Sequence, residues 1–142
     1  MAVHGGLLRL STGGDGEVVD LTEGVSSVVR TSGVQQGVVV VFARGSTVAV
    51  TTMEYERGGV ADLQATLERL VPARPPSGGE YDHNRLNHDS NAHAHLRAAM
   101  VGPSEAIPVV EGALALGRWQ QVVLIDFDDR PRQRTVLVQM LS

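Results

Sequence analysis

The run VVVVFA at residues 38–43, then RGS at 44–46, then TVAVTTM at 47–53 decides the fold class. Both flanking runs are rich in β-branched side chains, which suit a pleated surface, so they read as two strands broken at Arg44, Gly45 and Ser46. Downstream, Val60, Leu63, Leu67, Leu70 and Val71 recur at helical spacing and stop at Pro72. Residues 72–91 then form a long polar connection holding three prolines and two glycines, a length that signals function or disorder. A short helix over about 93–101 is bounded by Gly102-Pro103. Residues 107–110 and 113–116 flank Glu111-Gly112, a two-residue hairpin turn. Residues 119–127 and 134–140 read as the last strands. Residues 122–125 are apolar on both alternating faces, which predicts a central strand covered on both sides.

Upstream, residues 7–10, the GGDG turn at 13–16 and residues 17–20 predict a hairpin. Asp20 with Glu23 resembles a capping box, Asp standing in the Ser/Thr place. Leu21, Val25, Val28 and Val29 follow at helical spacing, and Gly33 supplies the stop. About seven strands and about three helices result, a mixed α+β layout.

At 142 residues the chain fits one domain over 1–142, large enough to bury a core without a staple. Apolar residues make up 42% and charged residues 20%, which argues against disorder. There is no cysteine, so disulfides and thiolate chemistry are excluded, and a transition metal would have to use His, Asp or Glu. The opening MAVHGGLLRLS lacks the pattern of a signal peptide, and the longest aliphatic run, 38–43, is too short for a bilayer. The expectation is a cytoplasmic protein with no membrane partner. A net charge of −4 argues against nucleic acid. All twelve basic residues are Arg, which reads as a GC-rich genome and excludes Schiff-base lysine chemistry and a P-loop.

Four of the five histidines fall between 83 and 95, in YDHNRLNHDSNAHAHLRA. Neutral imidazole is the commonest protein ligand for zinc and related ions, so His83, His93 and His95 are the candidate metal ligands. Three ligands and a water would make a catalytic site; the plainer reading is a polar loop with solvated histidines. If His93-Ala94-His95 is extended, both rings project to one side. If it is helical, they diverge by more than a quarter turn and cannot share one ion. His88 reads as solvent-exposed and His4 as incidental near a terminus. Glu54, ending an apolar strand pattern, is a candidate general base or fourth ligand, or simply a solvated strand end. The turn 44–47 could offer backbone N–H groups and the Arg44 guanidinium to an anion, or be simply a common Gly-Ser turn. Arg130, Arg132 and Arg134 alternate, and a solvated edge strand explains them most economically. Trp119 reads as core or interface, and Gln120 and Gln121 as amides needing partners.

These residues resemble the YjbQ family, an uncharacterised protein family whose members also carry the label secondary thiamine-phosphate synthase. The resemblance is carried by Tyr81-Asp82-His83-Asn84, Asn91 through Ala98, Gly102-Pro103-Ser104, Ile107-Pro108-Val109 and Leu114 through Gln121, with looser agreement at Val41-Phe42, Ser46-Thr47 and Glu54. It implies an antiparallel β-sandwich, a homotrimer and a histidine-lined site for metal or anions near a subunit boundary. His83 and His95 sit at family histidine positions, whereas His93 falls where many relatives carry Asp. Gly45 stands where many members have His, and a subgroup with Gly-Ser-Thr there is implied to compensate with the second histidine of the pair.

Three functional expectations follow. The first is a metal-dependent enzyme with thiamine-phosphate synthase as a secondary activity on a small phosphorylated molecule. Zinc would sit at the histidines, with magnesium suiting the synthase reaction. Glu54 and Asp89 would handle protons, and Ser46, Thr47, Asn84, Asn91, Arg97 and Gln120 would bind the anion or substrate. The second is a non-catalytic metal- or anion-binding protein using the same histidines. The third is a structural site joining the subunits of a trimer, which a closed four-ligand shell would mark.

Overall fold

The computed structural model describes all 142 residues and contains eight strands and four helices. In chain order they are β1 (Val3–Thr12), β2 (Glu17–Asp20), α1 (Thr22–Ser32), β3 (Gln36–Ala43), β4 (Val48–Met53), α2 (Arg57–Leu70), α3 (Asp82–Asn87), α4 (Ala92–Val101), β5 (Ser104–Val110), β6 (Ala113–Leu114), β7 (Gln121–Asp126) and β8 (Arg132–Leu141). The strands form a five-stranded sheet, β1-β8-β3-β5-β6, and a three-stranded sheet, β2-β7-β4. All pairings are antiparallel.

Alternation along the strands builds two cores. Val39 and Val41 of β3, Val136, Val138 and Met140 of β8, and Ile107 and Val109 of β5 face Val48 and Val50 of β4 and Val122 and Leu124 of β7. Val25 and Val29 of α1 close this inter-sheet core. The other face of the small sheet, with Ala49, Val123, Ile125 and nearby Phe127, packs against Leu67 of α2 and Ala94 and Ala98 of α4. Strand β7 is therefore covered on both sides, as its unbroken apolar run requires. No helix is long and apolar enough to cross a membrane.

Several expectations need correction. Strands β1 and β2 do not form a hairpin: β1 pairs with β8 and β2 with β7, so the GGDG turn carries the chain between sheets. Asp20 does cap α1, but from one residue further out, through Thr22 N and Oγ1, while Glu23 turns to Arg30 at 2.7 Å. The connection 72–91 contains α3, whose six residues are too few to show a period. Strand β8 is no edge: it lies between β1 and β3, and Arg134 is buried. Of the two readings of Trp119 only the core is excluded: the residue precedes β7 and is 63% exposed, with Arg118 stacked over its ring at 4.7 Å.

Candidate functional site

Where β7 ends, the buried residues change from aliphatic to acidic. Asp126 and Asp128 are essentially inaccessible to solvent, and buried carboxylates need partners. Arg134 of β8 donates Nε to Asp126 Oδ2 at 2.7 Å and Nη2 to Asp126 Oδ1 at 2.8 Å, a two-pronged bond. Nη2 also donates to Thr47 Oγ1 at 2.7 Å, and Thr47 Oγ1 donates to Asp128 at 3.1 Å. Thr12 of β1 adds its hydroxyl to Asp126, and Arg132 donates Nε to Asp128 at 2.7 Å. Burial works to raise the pKa of Asp126, but the bonds from Arg134 and Thr12 outweigh it and hold the carboxyl below the ordinary range. Asp128 shows the same contest: burial raises its pKa, and bonds from Arg132, the Asp129 N–H, Asn91 and Thr47 lower it further.

Asn91 extends this network toward the histidines. Its Nδ2 donates to Asp128 at 3.4 Å, while its Oδ1 is buried without a partner. It opens α4, and the α3–α4 corner is tied by Asn84, whose Oδ1 accepts from Ala92 N at 3.0 Å. The same Oδ1 lies 3.2 Å from His83 Nδ1. Because Oδ1 is an acceptor there, Nδ1 carries the proton and Nε2 of His83 keeps its lone pair for a ligand. The His83 and His95 rings lie 4.6 Å apart, tilted by 45°.

His93 does not join this pair. The dipeptide is helical, so two residues of α4 separate its side chain from that of His95 by about 200°. His93 is buried, its Nδ1 lacks a partner, and burial and then Arg97 lower its pKa. Within one chain no three His, Asp or Glu side chains gather as a metal cage.

The remaining candidates divide by place. Asp89 lies 3.8 Å from Arg130 and lines a polar cleft of about 340 Å³ with Tyr81, Asn84 and Ser90. Ser46 is exposed beside buried Thr47. Arg97 turns away, donating Nε to Val71 O at 2.9 Å. Glu54 is exposed just past the opposite end of β4, about 20 Å of extended chain from Thr47. Gln120 is engaged near that end too, donating to Thr52 Oγ1 and accepting from Gly117 N, each at 3.0 Å. Asp126, Asp128 and Arg134 were missed by the sequence reading. The available signal was an acid closing a strand read as covered on both faces, which demands a buried cation.

The family model described as UPF0047 protein YjbQ-like matches residues 7–142. A UPF0047 protein of Archaeoglobus fulgidus is 40% identical over 134 residues, covering 94% of this chain and 98% of that protein. A UPF0047 protein of Methanothermobacter thermautotrophicus is 36% identical over 140 residues, covering 99% and 93%. The crystal structure of a YbjQ-like protein of unknown function from Sulfolobus solfataricus superposes with a TM-score of 0.90 at 32% identity, covering 99% of this chain and 98% of that one. A hypothetical protein from Aeropyrum pernix gives 0.87 at 33% identity, covering 97% and 98%.

The ion network sets a pH dependence. Both acids have depressed folded-state pKa values, so their stabilisation is complete above the unfolded value of about 3.9 and is lost as pH falls below it toward the folded values. Asp126→Asn removes the hydrogen-bonded counter-charge of buried Arg134, leaving it only Asp128 at 3.9 Å, and should cost about 3–5 kcal/mol at pH 7. Urea unfolding at pH 7 and pH 3 checks both statements. The wild-type loss between the two pH values should shrink in the variant, and an unchanged loss would contradict the assignment.

Proposed function

The chain belongs to the UPF0047 YjbQ-like family, and from that premise we propose that it holds a divalent metal ion, zinc first, at His83 and His95 and acts on a small phosphorylated molecule beside it. The observation that carries this reading is the paired imidazoles, with His83 Nδ1 committed to Asn84. A carboxamide on the far nitrogen fixes the tautomer and ring orientation, as outer partners of metal-bound histidines do. A bound zinc would supply Lewis-acid stabilisation of a phosphoryl oxygen. Asn84 orients His83 and also lines the adjoining cleft, so one side chain couples the imidazole to the substrate space. Glu80 and Asp89 are the carboxylates lining that cleft, and Asp89, on the same cleft wall as Asn84, is the group assigned to move a proton. Formation of thiamine phosphate is the transfer expected as a secondary activity. The runner-up is a non-catalytic metal- or anion-binding protein, favoured by the exposure of Glu54 past the end of β4 and by the tie between Asp89 and Arg130.

Calorimetric titration with zinc should show one ion per chain, with binding lost in His83→Ala and in His95→Ala and retained in His93→Gln. Asp89→Asn should bind zinc normally and lose ~100- to 10,000-fold in a thiamine-phosphate-forming assay. Glu54→Gln should change neither. Zinc binding unaltered in the two alanine variants would end the metal reading, and full activity in Asp89→Asn would favour the binding protein.

We also propose that the chain assembles as a homotrimer through the outer face of the five-stranded sheet. That face exposes Leu7, Val38, Phe42 and Leu141, and Val40, Phe42, Leu137 and Leu141 line a groove of about 390 Å³. An apolar patch of this kind on a sheet is the mark of an interface. Light scattering should give three times the chain mass, and Phe42→Glu should release monomers that remain folded. A wild-type monomer at all concentrations would contradict the assembly.

A further inference from the structure

The corner between β3 and β4 holds unused hydrogen-bonding capacity. Its ends are anchored: Arg44 N donates to Thr135 O at 3.1 Å, and Phe127 N donates to Thr47 O at 2.9 Å. Between them, the N–H groups of Gly45, Ser46 and Thr47 donate to no group of the chain. Successive free N–H groups in a turn are donors that an anion can use.

Arg134 lies directly behind this turn. Its Nε and Nη2 are committed to Asp126 and Thr47, while Nη1 makes no hydrogen bond within the chain. The residue is only 8% exposed, so its guanidinium is held rigidly with one donor nitrogen unspent. That nitrogen abuts Gly45: a Cβ placed on Gly45 would lie 2.8 Å from Arg134 Nη1 and 3.0 Å from Val48 Cγ1. Gly45 also has φ of +140°, which side chains rarely adopt. Glycine is thus what lets the main chain lie against the guanidinium. The two buried carboxylates are matched by Arg134 and Arg132, so the floor of the corner carries no net negative charge against an anion.

We propose that the Gly45-Ser46-Thr47 turn and Arg134 Nη1 form a receptor for a tetrahedral phosphoryl group. The inference rests on the reading that this protein handles a phosphorylated molecule and assigns where that group is held. Arg134 is the recognition residue, Thr47 and Asp126 position it, and Gly45 lets the turn lie against it. The sequence offers Arg44 as the nearest guanidinium to this turn, whereas the geometry points to Arg134.

The test is a titration of uniformly 15N-labelled, metal-free protein with inorganic phosphate at constant ionic strength, chloride serving as the control. The amides of Gly45, Ser46 and Thr47 should move together and saturate with one dissociation constant, as should the Arg134 side-chain signals. Gly45→Ala should weaken phosphate binding at least tenfold while zinc still shifts the His83 and His95 ring signals. If the wild-type amides stay in place, or drift without saturating, the receptor does not exist, whatever the variant does. A silent zinc titration beside saturating phosphate shifts would instead remove the metal reading and leave the receptor intact.

Discussion

The bond between Arg134 and Asp126 joins the two sheets at their most buried polar point. Arg134 belongs to β8 of the large sheet, and Asp126 closes β7 of the small one. Thr12 from β1 and Thr47 beside β4 complete the seam. Apolar packing holds the sheets face to face, but it is non-directional and tolerates sliding. A two-pronged guanidinium–carboxylate bond does not, so the seam fixes how the strand ends meet. The β3–β4 corner and the start of α4 both hang on this seam, through Thr47 and Asn91.

The cost of that arrangement explains its location. Burying two acids and an arginine gains little net stability compared with an apolar cluster of the same shape. Here the charges sit at one end of the small sheet, where the chain crosses between sheets and the backbone leaves regular pairing. The same end gathers the free N–H groups of the turn, the unpartnered Oδ1 of Asn91 and the route to the His83–His95 pair. The opposite end, with Glu54, Gln120 and Trp119, uses its polar groups on local contacts or leaves them to solvent.

Much of the fold was legible in the sequence because it follows from periodicity. The β-branched runs at 38–43 and 47–53, the doubly apolar run at 122–125, the Gly33 stop of α1 and the Glu111-Gly112 turn all stand where the pattern put them. What stayed hidden depends on pairing between distant residues. The GGDG turn looks like a hairpin locally, yet β1 finds β8 some 120 residues away. The alternating arginines at 130, 132 and 134 look like an exposed edge until Asp126 is seen across the sandwich. At the histidine cluster, sequence left the geometry of His93-Ala94-His95 open; the helix settles it by sending the rings to different sides.

The most direct test of the account is a double-mutant cycle on Arg134→Met and Asp126→Leu, measuring unfolding free energy and phosphate binding together. Each single variant strands one buried charge and should lose about 3–5 kcal/mol. The double variant removes both charges and should recover most of that loss, giving a coupling of several kcal/mol, while phosphate binding remains absent for want of the guanidinium. Additive losses in stability, or a double variant that binds phosphate as the wild type does, would contradict the claim that this one ion pair both locks the sandwich and presents its site.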